Sequence, residues 1–114
     1  MASETRARLT ALRSEAVARA EALDAESAAL TRERADRNDD DEHDPEGEPL
    51  SAQWSRLRGL LRDAQGELAQ IDGALQRLDA GTYGICPGCG NPLPPARLEA
   101  RPFAERCVPC AERG

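Results

Sequence analysis

Eight apolar residues, Trp54, Leu57, Leu61, Ala64, Leu68, Ile71, Leu75 and Leu78, follow one another at alternating intervals of three and four without a slip. That interval lays one continuous apolar stripe along a helix, and a stripe needs a second helix to cover it. Residues 4–35 supply one. They contain no Gly or Pro, are rich in strong helix formers, and carry Leu9, Leu12, Ala16, Ala20, Leu23 and Leu30 close to the same repeat. Ser3 is suited to cap the start, with Glu4 favourable in the first turn. Gly59, Gly66 and Gly73 fall off the second stripe and weaken that helix locally, and Gly81 marks its end. Between the two segments stand Pro45, Gly47 and Pro49, which no regular helix tolerates together.

Antiparallel pairing demands that facing positions add to a constant. Leu9 with Leu78, Leu12 with Leu75, Ala16 with Ile71, Leu23 with Ala64 and Leu30 with Leu57 all add to 87. The fold point is then between His43 and Asp44, inside the Pro/Gly break. An intramolecular hairpin is therefore expected, in preference to a dimer of hairpins or of straight helices. About thirty residues at ~1.5 Å each give arms of roughly 45 Å. Composition agrees: 39% of the 114 residues are apolar but only 3% aromatic, which suits a narrow helix seam and not an enzyme with a deep pocket. No apolar run is long enough to span a membrane, and no secretory signal opens the chain, so a cytoplasmic protein is expected.

The charge is concentrated. Fifteen arginines, with no lysine, face 21 acids for a net of −6, and residues 36–48 alone hold eight acids and one arginine, a net of −7. Everything else sums to +1. A chain that grips phosphates carries the opposite excess, so direct, sequence-specific DNA binding is not expected. A basic groove or a bound cation suits the patch better. The alternative is a solvated linker, the usual fate of like-charge runs. The sole histidine, His43, reads as a solvated turn residue.

Cys86, Cys89, Cys107 and Cys110 form C-x2-C-x17-C-x2-C. Each C-x2-C holds two thiolates on one tight turn, and two such turns complete a tetrahedron suited to one Zn²⁺. With four sulfurs no position remains for an activated water, so the zinc is structural. Two disulfides or an iron–sulfur cluster are the competing readings. Gly88 and Gly90 relieve the first turn and Pro109 shapes the second. The intervening segment is too short and too interrupted by proline for a core of its own, so the metal must supply much of its folding energy. Leu93, Leu98 and Phe103 are expected to pack on the cluster and against Tyr83, with Arg97, Arg101 and Arg106 decorating the surface. The fold class is thus mainly α: an antiparallel two-helix coiled-coil hairpin over 1–80, its acidic tip at about 36–48, then a small C4 zinc finger over 81–114.

The run GTYGICPGCGNPLPPARLEARPFAERCVPC, from Gly81 to Cys110, resembles the zinc-finger signature of the DksA/TraR family of bacterial transcription regulators. Gly81, Tyr83, Gly84, Cys86, Cys89, Gly90, Arg97, Leu98, Ala100, Pro102, Ala104, Cys107 and Cys110 carry the match, and Leu93 stands where isoleucine is more usual. The hairpin before the finger is similar to the same family's coiled-coil arm. The resemblance implies a protein that binds RNA polymerase, inserting the arm in the secondary channel so that the acidic tip lies near the catalytic centre while the finger stays at the rim. The family's tip reads Asp-x-x-Asp-x-Ala. Asp41 and Asp44 reproduce its aspartates, whereas the third position is Glu46; Asp36 and Asp39 have the same spacing further from the fold point. The finger arginines Arg97, Arg101 and Arg106 become candidate rim contacts. The features of longer members are not expected: no extension precedes the arm, and four residues follow Cys110. Nothing supports carrying over the ppGpp site of those members.

The leading expectation is accordingly a non-enzymatic, monomeric, polymerase-binding regulator with one structural Zn²⁺. Two alternatives stand beside it. In one, the tip carboxylates help hold Mg²⁺ and promote transcript cleavage. In the other, the chain is a zinc-stapled coiled-coil interaction module without polymerase contact.

Overall fold

The computed structural model describes residues 2–37 and 49–113. Four helices follow in order: α1 (Ala2–Arg37), α2 (Leu50–Ala80), α3 (Pro95–Ala100) and α4 (Val108–Arg113). Among the described residues extended pairing is confined to one antiparallel bridge between Ile85 and Pro92. The chain divides into two compact units, Met1–Glu15 with Glu67–Gly114, and Ala16–Gly66. Residues 38–48 of the acidic tip, with Asp39, Asp41, His43, Asp44 and Glu46, lie outside the described residues, whereas Asp36 and Arg37 end α1.

Both long helices are as the stripes require. In the first unit the outer ends of α1 and α2 run antiparallel: Arg6 donates to Asp79 at 2.5 Å and Arg13 to Asp72 at 2.6 Å, two pairs one heptad apart that each add to 85. In the second unit Arg58 pairs with Asp24 at 3.5 Å, and the Arg34 guanidinium lies 5.9 Å from the Trp54 ring centroid. These contacts flank the stripe within a few residues of the constant 87. They are exposed pairs, which add little to stability but disfavour a slipped register.

Burial follows the stripes. Leu9, Ala16, Leu30, Leu61, Ala64 and Ile71 are buried, while Leu12, Ala20, Leu23, Trp54, Leu57, Leu68, Leu75 and Leu78 are half-buried. Two residues join them that the apolar repeat omits. Ser27 is 2% exposed, filling the seven-residue gap between Leu23 and Leu30. Its hydroxyl is satisfied by donating to the Asp24 carbonyl at 3.0 Å, so its burial carries no lost hydrogen bond. Ala74 is fully buried beside Ile71, which broadens the covered face of α2 in the first unit. Leu60 sits on the opposite side, 47% exposed. Among the described residues no helix is long and apolar enough to cross a membrane.

The helix ends follow local chemistry, with one correction. α1 already includes Ala2, so Ser3 stands inside the first turn and not at the cap; Glu4 occupies the first turn as expected. Pro49 precedes α2, its carbonyl accepting from the Gln53 N–H at 3.0 Å. At the other end, the Thr82 N–H donates to the Arg77 carbonyl at 2.8 Å and the Gly81 N–H to Leu78 at 3.3 Å. This is the Schellman arrangement, and it requires the left-handed φ of +80° that Gly81 adopts.

Two substitutions test this account in opposite directions. Gly66 has open space where a Cβ would project and helical geometry around it, so Gly66→Ala should raise stability by about 0.8–1 kcal/mol. Gly81→Ala meets no neighbour either, yet forces a left-handed alanine and should cost about 1–2 kcal/mol. Urea melts followed at 222 nm would measure both, and equal effects of the two would contradict the cap.

Candidate metal centre

The first ligand pair is held by a tight hairpin. The Cys86 N–H donates to the Asn91 carbonyl at 2.9 Å, the Gly90 N–H returns to the Cys86 carbonyl at 2.7 Å, and the Leu93 N–H reaches Gly84 at 2.7 Å. These bonds curl residues 86–90 so that both thiols face the same point. The second pair opens α4, whose Ala111 N–H donates to the Cys107 carbonyl at 2.9 Å. Pro109 is tolerated here because the first-turn N–H has no partner inside the helix. Gly88 is where the two turns meet: a Cβ there would lie 3.0 Å from the Cys110 Sγ and 3.2 Å from its Cβ.

The four Sγ atoms lie within 4.8 Å of one another, and those of Cys89 and Cys107 are 3.9 Å apart. Zn–S bonds of about 2.3 Å in a tetrahedron place sulfurs about 3.8 Å apart, so these residues fit one zinc ion. Disulfides are not formed among them. Cys86 and Cys110 are buried, Cys107 half-buried and Cys89 exposed. The backbone N–H of Cys107, opposed by burial and helped by those of Cys89 and Gly88, holds the Cys86 thiol down at about 6. Hydrogen bonding to the Cys107 sulfur, with burial, pushes Cys110 up to about 11, while Arg113 donates to its Sγ at 3.1 Å. Backbone donors thus favour a thiolate at one corner before any metal binds, and a cation relieves the crowding at the others.

Around the sulfurs the packing is thin. Cys86, Leu93, Ala104 and Cys110 form the buried cluster, with Leu98 and Cys107 packed against it. Leu93 and Leu98 are as expected, but Phe103 is not part of it. The small Ala104 occupies the interior position, and Phe103 is half-buried with the Arg101 guanidinium 5.8 Å from its ring centroid. Tyr83 acts through its hydroxyl, donating to the Pro102 carbonyl at 2.6 Å. Burial pushes its phenol above the usual 10.0, with Arg8 and Arg77 pulling weakly the other way.

The three finger arginines separate. Arg97 donates from Nε to the Arg106 carbonyl at 2.7 Å and so braces the approach to Cys107. Arg101 covers Phe103, and Arg106 lies 3.9 Å from Glu105. Arginines from the long helices also reach the finger, which the sequence reading missed. Arg8 of α1 donates to the Glu99 carbonyl at 2.7 Å, and Arg77 of α2 approaches the Phe103 carbonyl at 3.5 Å and Glu105 at 3.6 Å. Carbonyl acceptors carry no side-chain signature, so only an acidic partner such as Glu105 left a trace in the residues.

One Zn²⁺ per chain is the expected stoichiometry by elemental analysis. Cys86→Ser or removal of the ion by a strong chelator should abolish the near-ultraviolet signal of Tyr83. Tyr83→Phe should cost about 1 kcal/mol for the lost hydrogen bond. Its titration gives a second check. The folded chain holds the phenolic proton more tightly than the unfolded one, so this contribution is complete below pH 10 and declines as pH rises past it. The Phe variant should lose that decline in alkaline melts.

The prokaryotic dksA/traR C4-type zinc finger family matches residues 81–113. The RNA polymerase-binding transcription factor DksA of Caulobacter vibrioides is 49% identical over 53 residues, 46% of this chain and 37% of that protein. General stress protein 16O of Bacillus subtilis is 44% identical over 41 residues, 36% of this chain and 25% of that protein. Such alignments thus span about a third or less of these relatives' length. The structure of transcription factor DksA2 from Pseudomonas aeruginosa superposes over 98% of this chain and 81% of that one, with a TM-score of 0.78 and 33% identity. Cysteine geometry, finger sequence and whole-chain superposition converge, and the chain belongs to the DksA/TraR family of C4-type zinc-finger proteins.

Proposed function

We propose that this protein is a non-enzymatic transcription regulator that binds RNA polymerase. In this reading the α1–α2 hairpin (residues 1–80) enters the secondary channel, the acidic segment 36–48 approaches the catalytic centre, and the finger (81–114) rests at the rim. The observation that carries the reading is the likeness to a transcription factor over nearly the whole chain, hairpin and finger together. Two of the similar proteins are named as RNA polymerase-binding transcription factors.

Charge supports the same mechanism. Outside residues 36–48 the protein has a net charge of +1, so it can slide into a channel without a strong field of its own. The helix surfaces carry arginine–aspartate pairs that cancel locally. Carboxylates of Asp41, Asp44 and Glu46 would then act near the polymerase's own metal, where their effect on a cation or on bound nucleic acid is largest. Arg101 and Arg106, both exposed, are the better rim contacts, because Arg97 is engaged within the finger. The protein is proposed to act as a cytoplasmic monomer and to regulate without reading DNA sequence.

The test combines pull-down with purified core polymerase and multi-round transcription. The double variant Asp41→Ala with Asp44→Ala should bind as wild type yet lose regulation of sensitive promoters. No association at micromolar protein and low salt would remove the proposal. Shortening of RNA in backtracked complexes, abolished in the double variant, would replace it with a cleavage role for the tip.

A further inference from the structure

We infer that Arg77 is a positioning residue for the zinc centre, so that the end of the long helix α2 and the metal are energetically coupled. The segment Phe103–Arg106 leads directly into the ligand Cys107, and it is short and contains no helix. Two arginines hold it from different elements. Arg77 of α2 brings Nη2 to the Phe103 carbonyl at 3.5 Å and Nη1 to the Glu105 carboxylate at 3.6 Å. Arg97 of α3 donates to the Arg106 carbonyl at 2.7 Å. Between these anchors Ala104 is buried against the cluster that contains Cys86 and Cys110.

Arg77 is more deeply placed than the arginines that pair α1 with α2 at Asp79, Asp72 and Asp24. Its side chain is 18% exposed, against 43–47% for Arg6, Arg13 and Arg58. A half-desolvated guanidinium interacts more strongly with a carboxylate and a carbonyl than a solvated one does. Room for it comes from Gly73 one turn earlier, where a Cβ would stand 3.3 Å from Nη1. The Arg77 carbonyl accepts the Thr82 N–H that closes α2. Arg77 therefore joins the end of α2, the exit of the chain toward Cys86 and the approach to Cys107. A group that fixes the segment carrying a ligand lowers the ordering cost of metal binding, as outer partners of metal ligands do. Coupling is reciprocal, so zinc must in turn stabilise this end of α2. None of this depends on the polymerase reading.

The experiment uses the full-length protein and measures zinc affinity by competition with a chromophoric chelator, alongside thermal melts. Arg77→Ala should weaken zinc binding about tenfold or more, in line with the loss of other outer partners of metal ligands. Glu105→Ala should weaken it less, and the double variant should fall short of the product of the two effects. Arg77→Lys, which keeps the charge but cannot reach both acceptors in the same fork, should fall between wild type and Arg77→Ala. Leu78→Ala separates this from helix stability alone, because it weakens the neighbouring seam while removing neither the Arg77 guanidinium nor either of its acceptors. If Leu78→Ala lowers zinc affinity as much as Arg77→Ala, or if Arg77→Ala lowers the melting temperature while zinc affinity is unchanged, the inference is overturned.

Discussion

Four sulfurs within 4.8 Å of one another cannot all be ionised in the absence of a cation, and four neutral thiols make a poor core. The finger depends on resolving that conflict. Its buried cluster is four residues, two of them ligands and one an alanine. Packing of that size does not offset the ordering of some thirty residues, since fixing each costs on the order of 1 kcal/mol or more. Metal binding supplies the difference, which is why the surrounding hydrogen bonds are spent on aiming sulfurs and bracing the short segments beside them. Gly88 has no side chain because the two ligand turns approach there, and Ala104 is small because the interior it enters is already filled by sulfur.

The helical part solves a different problem. Two helices alone bury only a narrow strip, so the seam combines leucine and isoleucine with alanine and serine to bring the backbones close. The buried positions include Ala16, Ala64 and Ala74 as well as Leu9 and Ile71. Arg6–Asp79 and Arg13–Asp72 repeat at a heptad interval, and their value is in rejecting registers that would place like charges together. In the other unit Trp54 lies between Arg34 and Arg58, each guanidinium 5.9 Å from the ring centroid, so the bulkiest seam residue is shielded without a third helix.

Much of this was legible in the residues, for identifiable reasons. A 3.5-residue repeat and a C-x2-C pair are local patterns whose geometry follows from backbone periodicity and bond lengths. They indicated two long helices, the stop at Gly81 and the four ligands. Ser27 escaped notice because a polar residue does not register in an apolar pattern; the gap between Leu23 and Leu30 was the available signal. Phe103 was expected inside because large aromatic residues usually are, but beside the metal cluster volume is scarce and Ala104 fits instead. The tip carboxylates Asp41, Asp44 and Glu46, by contrast, rest on the resemblance to the family's tip pattern and lie outside the described residues.

By itself the sequence determined the helical repeat, the antiparallel register and the zinc ligand set, because each is encoded in spacing along the chain. Tertiary structure alone decided which arginines hold the finger. Arg8, Arg77 and Arg97 act on the carbonyls of Glu99, Phe103 and Arg106, and a carbonyl is present at every residue. Nothing in the order of side chains singles out one backbone oxygen from another; only the three-dimensional path of the chain brings a particular guanidinium within reach of it.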